Sequence, residues 1–162
     1  MRKNLVAAAT GHRPDKLGNE WDLRGPISLR LYHDLVAFAE KHEPTKLISG
    51  MALGVDMLWA ILGTKLGIPF IAAVPFEGQE KAWPYKSQQL YHKILAQASE
   101  VIYVCEPGYA PWKMQKRNEW MVDQCDILVA VWDGTNGGTA NCYKYAESIN
   151  KTIFRIKPWR PL

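Results

Sequence analysis

No apolar run in this chain of 162 residues approaches the roughly 20 needed to cross a bilayer as a helix. The start, Met1-Arg2-Lys3-Asn4 before Leu5 to Ala9, has the outward form of a secretory signal. The apolar stretch is too short for one, and Gly-His-Arg-Pro-Asp follows at once, so it reads as a first strand and a cytoplasmic location is expected. There are only three cysteines, Cys105, Cys125 and Cys142, with no Cys-x-x-Cys pair. That argues against a zinc ribbon or dithiol redox motif and leaves buried, reduced thiols. No cluster of His, Asp and Glu has metal-ligand spacing, so neither metal nor cofactor is expected. No Ser-His-Asp or Cys-His arrangement can be read from spacing. Neither the Gly-x-Gly-x-x-Gly dinucleotide fingerprint nor the Walker A loop occurs. Repeats, low-complexity tracts and linkers are also absent. The formal charge is only +4, which suits an anionic ligand and is too weak by itself to argue for nucleic acid. The basic tail Lys151, Arg155, Lys157 and Arg160 reads as an ordinary solvated end.

What is present argues for one folded domain over 1–162. Apolar residues make up 48% of the chain, with seven Trp and seven Tyr. Short apolar runs alternate with helical patterns. Strands are expected at Leu5–Ala9, Lys46–Ile48, Phe70–Val74, Val101–Val104, Ile127–Trp132 and Thr152–Phe154. Helices are expected at Ile27–His42, after Gly54, at Tyr85–Ala98, Gln115–Gln124 and Thr139–Ile149. Such alternation predicts an α/β, Rossmann-like fold: a mostly parallel sheet with helices on both faces. Ligands of such sheets bind beyond the carboxyl ends of the strands.

The unusual residues fall at those ends. Thr10-Gly11-His12-Arg13 follows the first strand and opens a long polar loop to Pro26. Ser49-Gly50-Met51-Ala52-Leu53-Gly54-Val55-Asp56 links the second strand to a helix. Its small residues let backbone N–H groups approach an anion at a helix N-terminus. Gly137-Gly138-Thr139 makes a second such bend, where Thr139 can cap the helix or touch an anion. Arg13 and Arg117 are the cations best placed to fork a phosphate. Asp56 stands where a helix N-cap belongs and can equally hold a ribose hydroxyl. Asp133 ends the fifth strand as a candidate acceptor or general base. Asp126, at the other end of that strand, reads as structural, as do Lys113 and Lys116. His12 is a candidate base or donor. Phe76, Trp83 and Tyr85 surround the third loop and either frame a base or anchor the loop by burial.

Taken in order, these motifs resemble the YpsA-like family. They are Thr10-Gly11-His12-Arg13-Pro14, Ile48-Ser49-Gly50, Gly54-Val55-Asp56, Pro75-Phe76-Glu77 through Trp83, Arg117-Asn118 with Met121-Val122, and Cys125-Asp126 leading to Gly137-Gly138-Thr139. That family belongs to the SLOG superfamily, with the Lonely Guy phosphoribohydrolases and the DNA-processing protein A core. The resemblance covers nearly the whole chain. It implies a Rossmann-like fold and a pocket for nucleotides or nucleotide-derived signals. Met114 to Asn118 is similar to the arginine motif of the Lonely Guy enzymes, with Arg117 in the arginine's place. Their glycine motif is matched only at Gly137-Gly138-Thr139, and Cys142 stands where they carry a glutamate. Glu147 lies further along the helix.

Three readings follow. The first is a sensor or sequestering protein for a nucleotide-like small molecule. It uses Thr10, Gly11, His12, Arg13, Ser49, Gly50, Ala52, Gly54, Asp56, Arg117, Asp133, Gly137, Gly138 and Thr139. The second is hydrolysis of an N-glycosidic bond in a nucleotide or ADP-ribose-like ligand, with Asp133 or Asp56 replacing the missing glutamate and Asp133 and Arg117 as catalytic candidates. The third, ranked last for want of a basic stripe, is single-stranded DNA binding. Self-association into a dimer or larger oligomer is expected by analogy with SLOG relatives.

Overall fold

A computed structural model describes residues 3–158. The expectations on Met1, Arg2 and Arg160 lie outside the described residues. Among the described residues there are six strands: β1 (Val6–Gly11), β2 (Lys46–Ser49), β3 (Phe70–Val74), β4 (Glu100–Tyr103), β5 (Ile127–Val131) and β6 (Thr152–Ile156). They form one sheet of order β4-β3-β2-β1-β5-β6 in which every pairing is parallel. All five residues of β3 and of β5 are buried, as expected where helices cover both faces.

The helices are α1 (Pro26–His42), α2 (Val55–Leu66), α3 (Tyr85–Leu95), α4 (Pro111–Gln124) and α5 (Gly138–Ser148). Their ends follow local chemistry. Pro26 opens α1 at a position where its missing N–H costs nothing, and Glu43 closes it in a left-handed turn (φ 50°) before Pro44. Gly67 closes α2 with φ 71°. On one face, Leu31, Leu35 and Phe38 of α1, Trp59 and Leu62 of α2 and Tyr91 of α3 pack on Ala7, Ala9, Leu47 and Phe70. On the other, Met121 and Val122 of α4 and Cys142 and Ala146 of α5 pack on Ala8, Ile48 and Leu128. The alanines of β1 make room for large helix residues. Trp59 is fully buried and its indole N–H donates to the Ala7 carbonyl at 3.3 Å.

The chain grows outward from β1 through β2 and β3 to β4, then returns to pair β5 beside β1. With right-handed crossovers, that reversal carries α4 and α5 to the face opposite α1, α2 and α3. It also opens a crevice between the loops that follow β1 and β5.

Three local expectations are corrected. Helix α4 begins at Pro111, not Gln115. The Pro- and aromatic-rich stretch reads as loop, yet Pro is well suited to a first helical position. Short 3-10 turns at Pro14–Lys16 and Gln79–Ala82 interrupt segments expected to be plain loop. Asp56 is not an N-cap: Gly54 holds that place, and Asp56 lies in the first turn.

Candidate functional site

The crevice holds a cavity of about 250 Å³. The end of β1 contributes Thr10, Gly11, His12 and Arg13; the bend after β2 contributes Ala52 and Asp56; α4 contributes Arg117; the loop into α5 contributes Gly137, Gly138 and Thr139. Both glycine-bearing bends therefore reach the same rim of the sheet. Ser49, Gly50, Gly54 and Asp133 do not line the cavity.

The two bends differ in what their amides do. In the first, Met51 N–H donates to Ser49 Oγ at 3.2 Å and Ala52 N–H to Asp56 Oδ2 at 3.3 Å. Ser49 Oγ in turn donates to the Asp56 carbonyl at 2.7 Å. Those donors are satisfied within the protein. The glycines there serve close approach. A Cβ on Gly50 would lie 2.7 Å from both Arg117 Nη1 and Asp56 Oδ2. Gly54 has φ +96°, and a Cβ there would stand 2.4 Å from the His12 carbonyl. A Cβ on Gly11 would meet Val55 at 2.5 Å. The second bend is open. Gly137 is the N-cap of α5 (φ 145°) and no side chain caps the helix, so Thr139 is a wall residue rather than a cap. A Cβ on Gly138 would meet nothing within 4 Å. The first-turn amides and the helix dipole thus face the cavity without a side-chain acceptor.

The two arginines also divide. Arg117 is buried in the cavity wall. Its Nη1 donates to the Gly50 carbonyl, and its Nε donates to Asn118 Oδ1 at 3.0 Å. Burial pushes the Asp56 carboxyl above its ordinary value, and the nearby Arg117 charge opposes that shift. The sequence expectation of Arg117 as a free phosphate fork is thereby narrowed: most of its donors are directed at the backbone and Asn118. Arg13 is exposed, and its side chain has no hydrogen-bond or ion-pair partner among the described residues. It lines the cavity, where its charge also acts on Asp56.

Asp133 Oδ1 accepts from Thr135 N–H at 2.9 Å and Thr135 Oγ1 at 2.6 Å, and lies 3.0 Å from His12 Nε2. The Thr135 hydrogen bonds lead in holding its carboxyl down at about 2. A carboxylate so held is a weak general base. His12 is 4% exposed, and burial lowers its pKa. Its Nε2 accepts the Asp133 N–H at 3.2 Å. Cys142 is fully buried, and desolvation pushes its thiol up to about 12. Glu147 is exposed.

Lys16 was not singled out by sequence. Its Nζ donates to Thr135 Oγ1 at 3.0 Å and to the Asn136 carbonyl at 3.3 Å, tying the loop after β1 to the loop after β5. Asp15, Met114, Asn118, Thr135, Asn136 and Ala140 complete the lining. The length of the Thr10–Pro26 loop was the available signal for Asp15 and Lys16. Of the aromatics around the third loop, Phe76 is buried edge-on to Tyr109, Trp83 packs edge-on to Tyr91, and Tyr85 is 73% exposed. Lys113 donates to the carbonyls of Glu106, Pro107 and Gly108, the structural role expected of it. Asp126 accepts the Val6 N–H at 2.8 Å, also structural. Among the described residues no group of three or more His, Cys, Asp or Glu is placed to hold a metal, and no helix is long and apolar enough to cross a membrane.

A family model described as the YspA SLOG family matches residues 7–158. The chain belongs to this family. It is 36% identical over 158 residues to the SPbeta prophage-derived protein YoqJ of Bacillus subtilis (strain 168), covering 85% of this chain and 91% of that protein. It is 31% identical over 144 residues to a UPF0398 protein of Bacillus cereus (strain G9842), covering 83% and 77%. Among solved structures, DNA processing protein A from Streptococcus pneumoniae superposes with a TM-score of 0.66 at 17% identity. The same protein from Helicobacter pylori, described for its single-stranded DNA binding mode, superposes with 0.65 at 20% identity. This family member covers 94% and 93% of itself in those matches but spans only 50% and 64% of the two neighbours. At that identity they establish the fold.

Proposed function

We propose that this SLOG-family protein binds a nucleotide or nucleotide-derived small molecule by its phosphate, in the cavity between the loops after β1 and β5. One observation carries the reading. The uncapped N-terminus of α5 and the unpartnered Arg13 side chain face one cavity. Backbone N–H groups at a helix start and a free guanidinium are the two donor types that bind phosphate best. The location at the reversal of strand order supports it. Asp15 and Asp56 are the carboxyl-bearing residues in the lining, and they provide acceptors for ribose hydroxyls. We read the site as binding rather than hydrolytic. Asp133 is engaged by Thr135 and lies outside the lining, and Cys142 occupies the place of the Lonely Guy glutamate.

A thermal-shift screen of mononucleotides, dinucleotides, cyclic nucleotides and ADP-ribose tests this. A ligand at 100 times its Kd adds about 2.7 kcal/mol, which raises the melting temperature of a protein this size by roughly 5 to 10 °C. Arg13→Ala cuts the rise to about half or less at the same concentration, as a 10-fold or greater loss of affinity requires. No stabilisation by any of these compounds at millimolar concentration would refute the reading. The Helicobacter neighbour favours a second one, single-stranded DNA binding. It requires affinity for oligonucleotides that falls steeply with salt.

A further inference from the structure

We propose that the phosphate cavity is the inner end of a longer site whose outer part takes the second nucleoside of a phosphate-linked dinucleotide. The proposal rests on the phosphate-anchoring reading and adds the class of ligand. Three depressions follow one another. The inner cavity shares Arg13 and Asp15 with a middle one of about 300 Å³. The middle one shares Trp21 and Pro84 with an outer groove of about 860 Å³. The joined space exceeds what one phosphate and sugar need, and drug-sized ligands occupy roughly 300 to 1,000 Å³.

The outer groove is lined by Trp21, Tyr85 and Leu90, with Arg24, Lys86 and Lys93 at its edge. Two large rings are held out to solvent there, Trp21 at 42% and Tyr85 at 73% exposure. Aromatic faces beside cations are what a nucleobase and its phosphate require. The acid in this lining, Asp22, has Oδ1 engaged by the Arg24 N–H at 3.1 Å.

The loop that presents Trp21 is pinned. Leu17 and Leu23 are buried on either side of it. The Glu20 carboxylate accepts the N–H groups of Ile27 at 3.0 Å and Ser28 at 2.6 Å, fixing the loop to the start of α1. Asn19 (φ 57°) and Leu23 (φ 62°) hold left-handed backbone conformations. For a leucine this is an unfavourable state that persists only where its surroundings enforce it. A loop folded merely to bury apolar surface would turn its tryptophan inward. This one buries two leucines and holds the indole out over the groove. Arg13, exposed and without a side-chain partner, stands at the junction of the inner and middle depressions, where a bridging phosphate would pass.

A free dinucleotide fits better than a polymer. The groove edge carries three cations, and the whole chain has a formal charge of only +4. Polyanion binding draws its affinity from many such contacts.

Calorimetric titration of the full chain with AMP and with diadenosine diphosphate, two adenosines joined through pyrophosphate, tests this. The dinucleotide binds roughly 5- to 150-fold more tightly, the range for one stacked base. Trp21→Ala and Tyr85→Ala each remove part or all of that gain and leave the AMP affinity unchanged. Melting curves confirm that both variants fold. Equal affinity for the two ligands, or an equal loss for both in the variants, overturns the proposal while the phosphate site stands. Binding of neither overturns this proposal, and the phosphate-site reading falls with it only if the whole nucleotide panel also fails to stabilise the protein. Tighter, steeply salt-dependent binding of a single-stranded oligothymidylate would overturn the assignment of a dinucleotide.

Discussion

Arg117→Met should destabilise the protein strongly at neutral pH and much less at pH 4 to 5. The guanidinium is 4% exposed and Asp56 is 5% exposed. Removing Arg117 leaves the Gly50 carbonyl and Asn118 Oδ1 without their donor, and takes away the larger of the two positive charges acting on Asp56. Removing a cation that lies near a buried carboxylate, together with its buried hydrogen bonds, costs about 3 to 5 kcal/mol, a large part of a typical stability of about 5 to 15 kcal/mol. In a domain of this size that is a fall of roughly 6 to 20 °C in melting temperature. Burial already raises the Asp56 pKa in the folded protein, and removing Arg117 raises it further. The folded state then binds a proton that the unfolded chain releases at lower pH. The penalty is therefore full above the folded pKa and disappears as pH falls through the window down to the unfolded value of about 4. Urea denaturation at pH 7.5 and pH 4.5, for wild type and variant, measures it. The difference between the two proteins should shrink at the lower pH, and Asp56→Asn combined with Arg117→Met should restore part of the loss at pH 7.5. A loss independent of pH would refute the electrostatic argument and reduce Arg117 to a packing residue.

Three further outcomes are expected. Arg13→Ala leaves the melting temperature of the ligand-free protein within about 2 °C, because its side chain has no partner, but weakens phosphate-ligand binding by about 10-fold or more in titration. Asp133→Asn removes a component of acid sensitivity. The wild-type carboxyl is depressed to about 2, so its stabilising effect is complete above the unfolded value near 4 and lost as pH falls towards 2. Acid unfolding followed by circular dichroism should be flatter over that window in the variant. Gly54→Ala meets the His12 carbonyl and forces a residue with φ +96°, so it should cost about 1 to 3 kcal/mol in urea denaturation, whereas Gly138→Ala, with open space around it, should leave the fold intact.

Most of the architecture was legible because parallel strands buried on both faces must be continuously apolar. Leu47-Ile48, Phe70–Val74 and Ile127–Val131 could take few other places. The start of α4 was not legible, since Pro111 and Trp112 resemble a loop until the helix beyond them is seen. The rim of the sheet was predicted as the place of the site, and ten of the residues nominated for ligand contact line the cavity there. The roles were less legible. Ser49 and Gly50 resemble an anion loop by composition, yet Met51 and Ala52 direct their amides to Ser49 and Asp56. Local sequence cannot show which acceptor a backbone amide meets.

Amino-acid order alone determined the alternating strands and helices and the concentration of glycine, arginine and polar residues at strand ends, because each follows from chemistry within a few neighbouring residues; of the thiols expected to be buried, Cys125 and Cys142 are, and Cys105 is half-buried. Tertiary structure decided which of two similar arginines is buried and which is free. It decided which of two glycine bends remains open. It also placed Lys16 against Thr135, 119 positions away, and Trp21 in the same groove as Tyr85. Those outcomes depend on strand order and on a reversal of chain direction, which bring distant residues together and which no local pattern encodes.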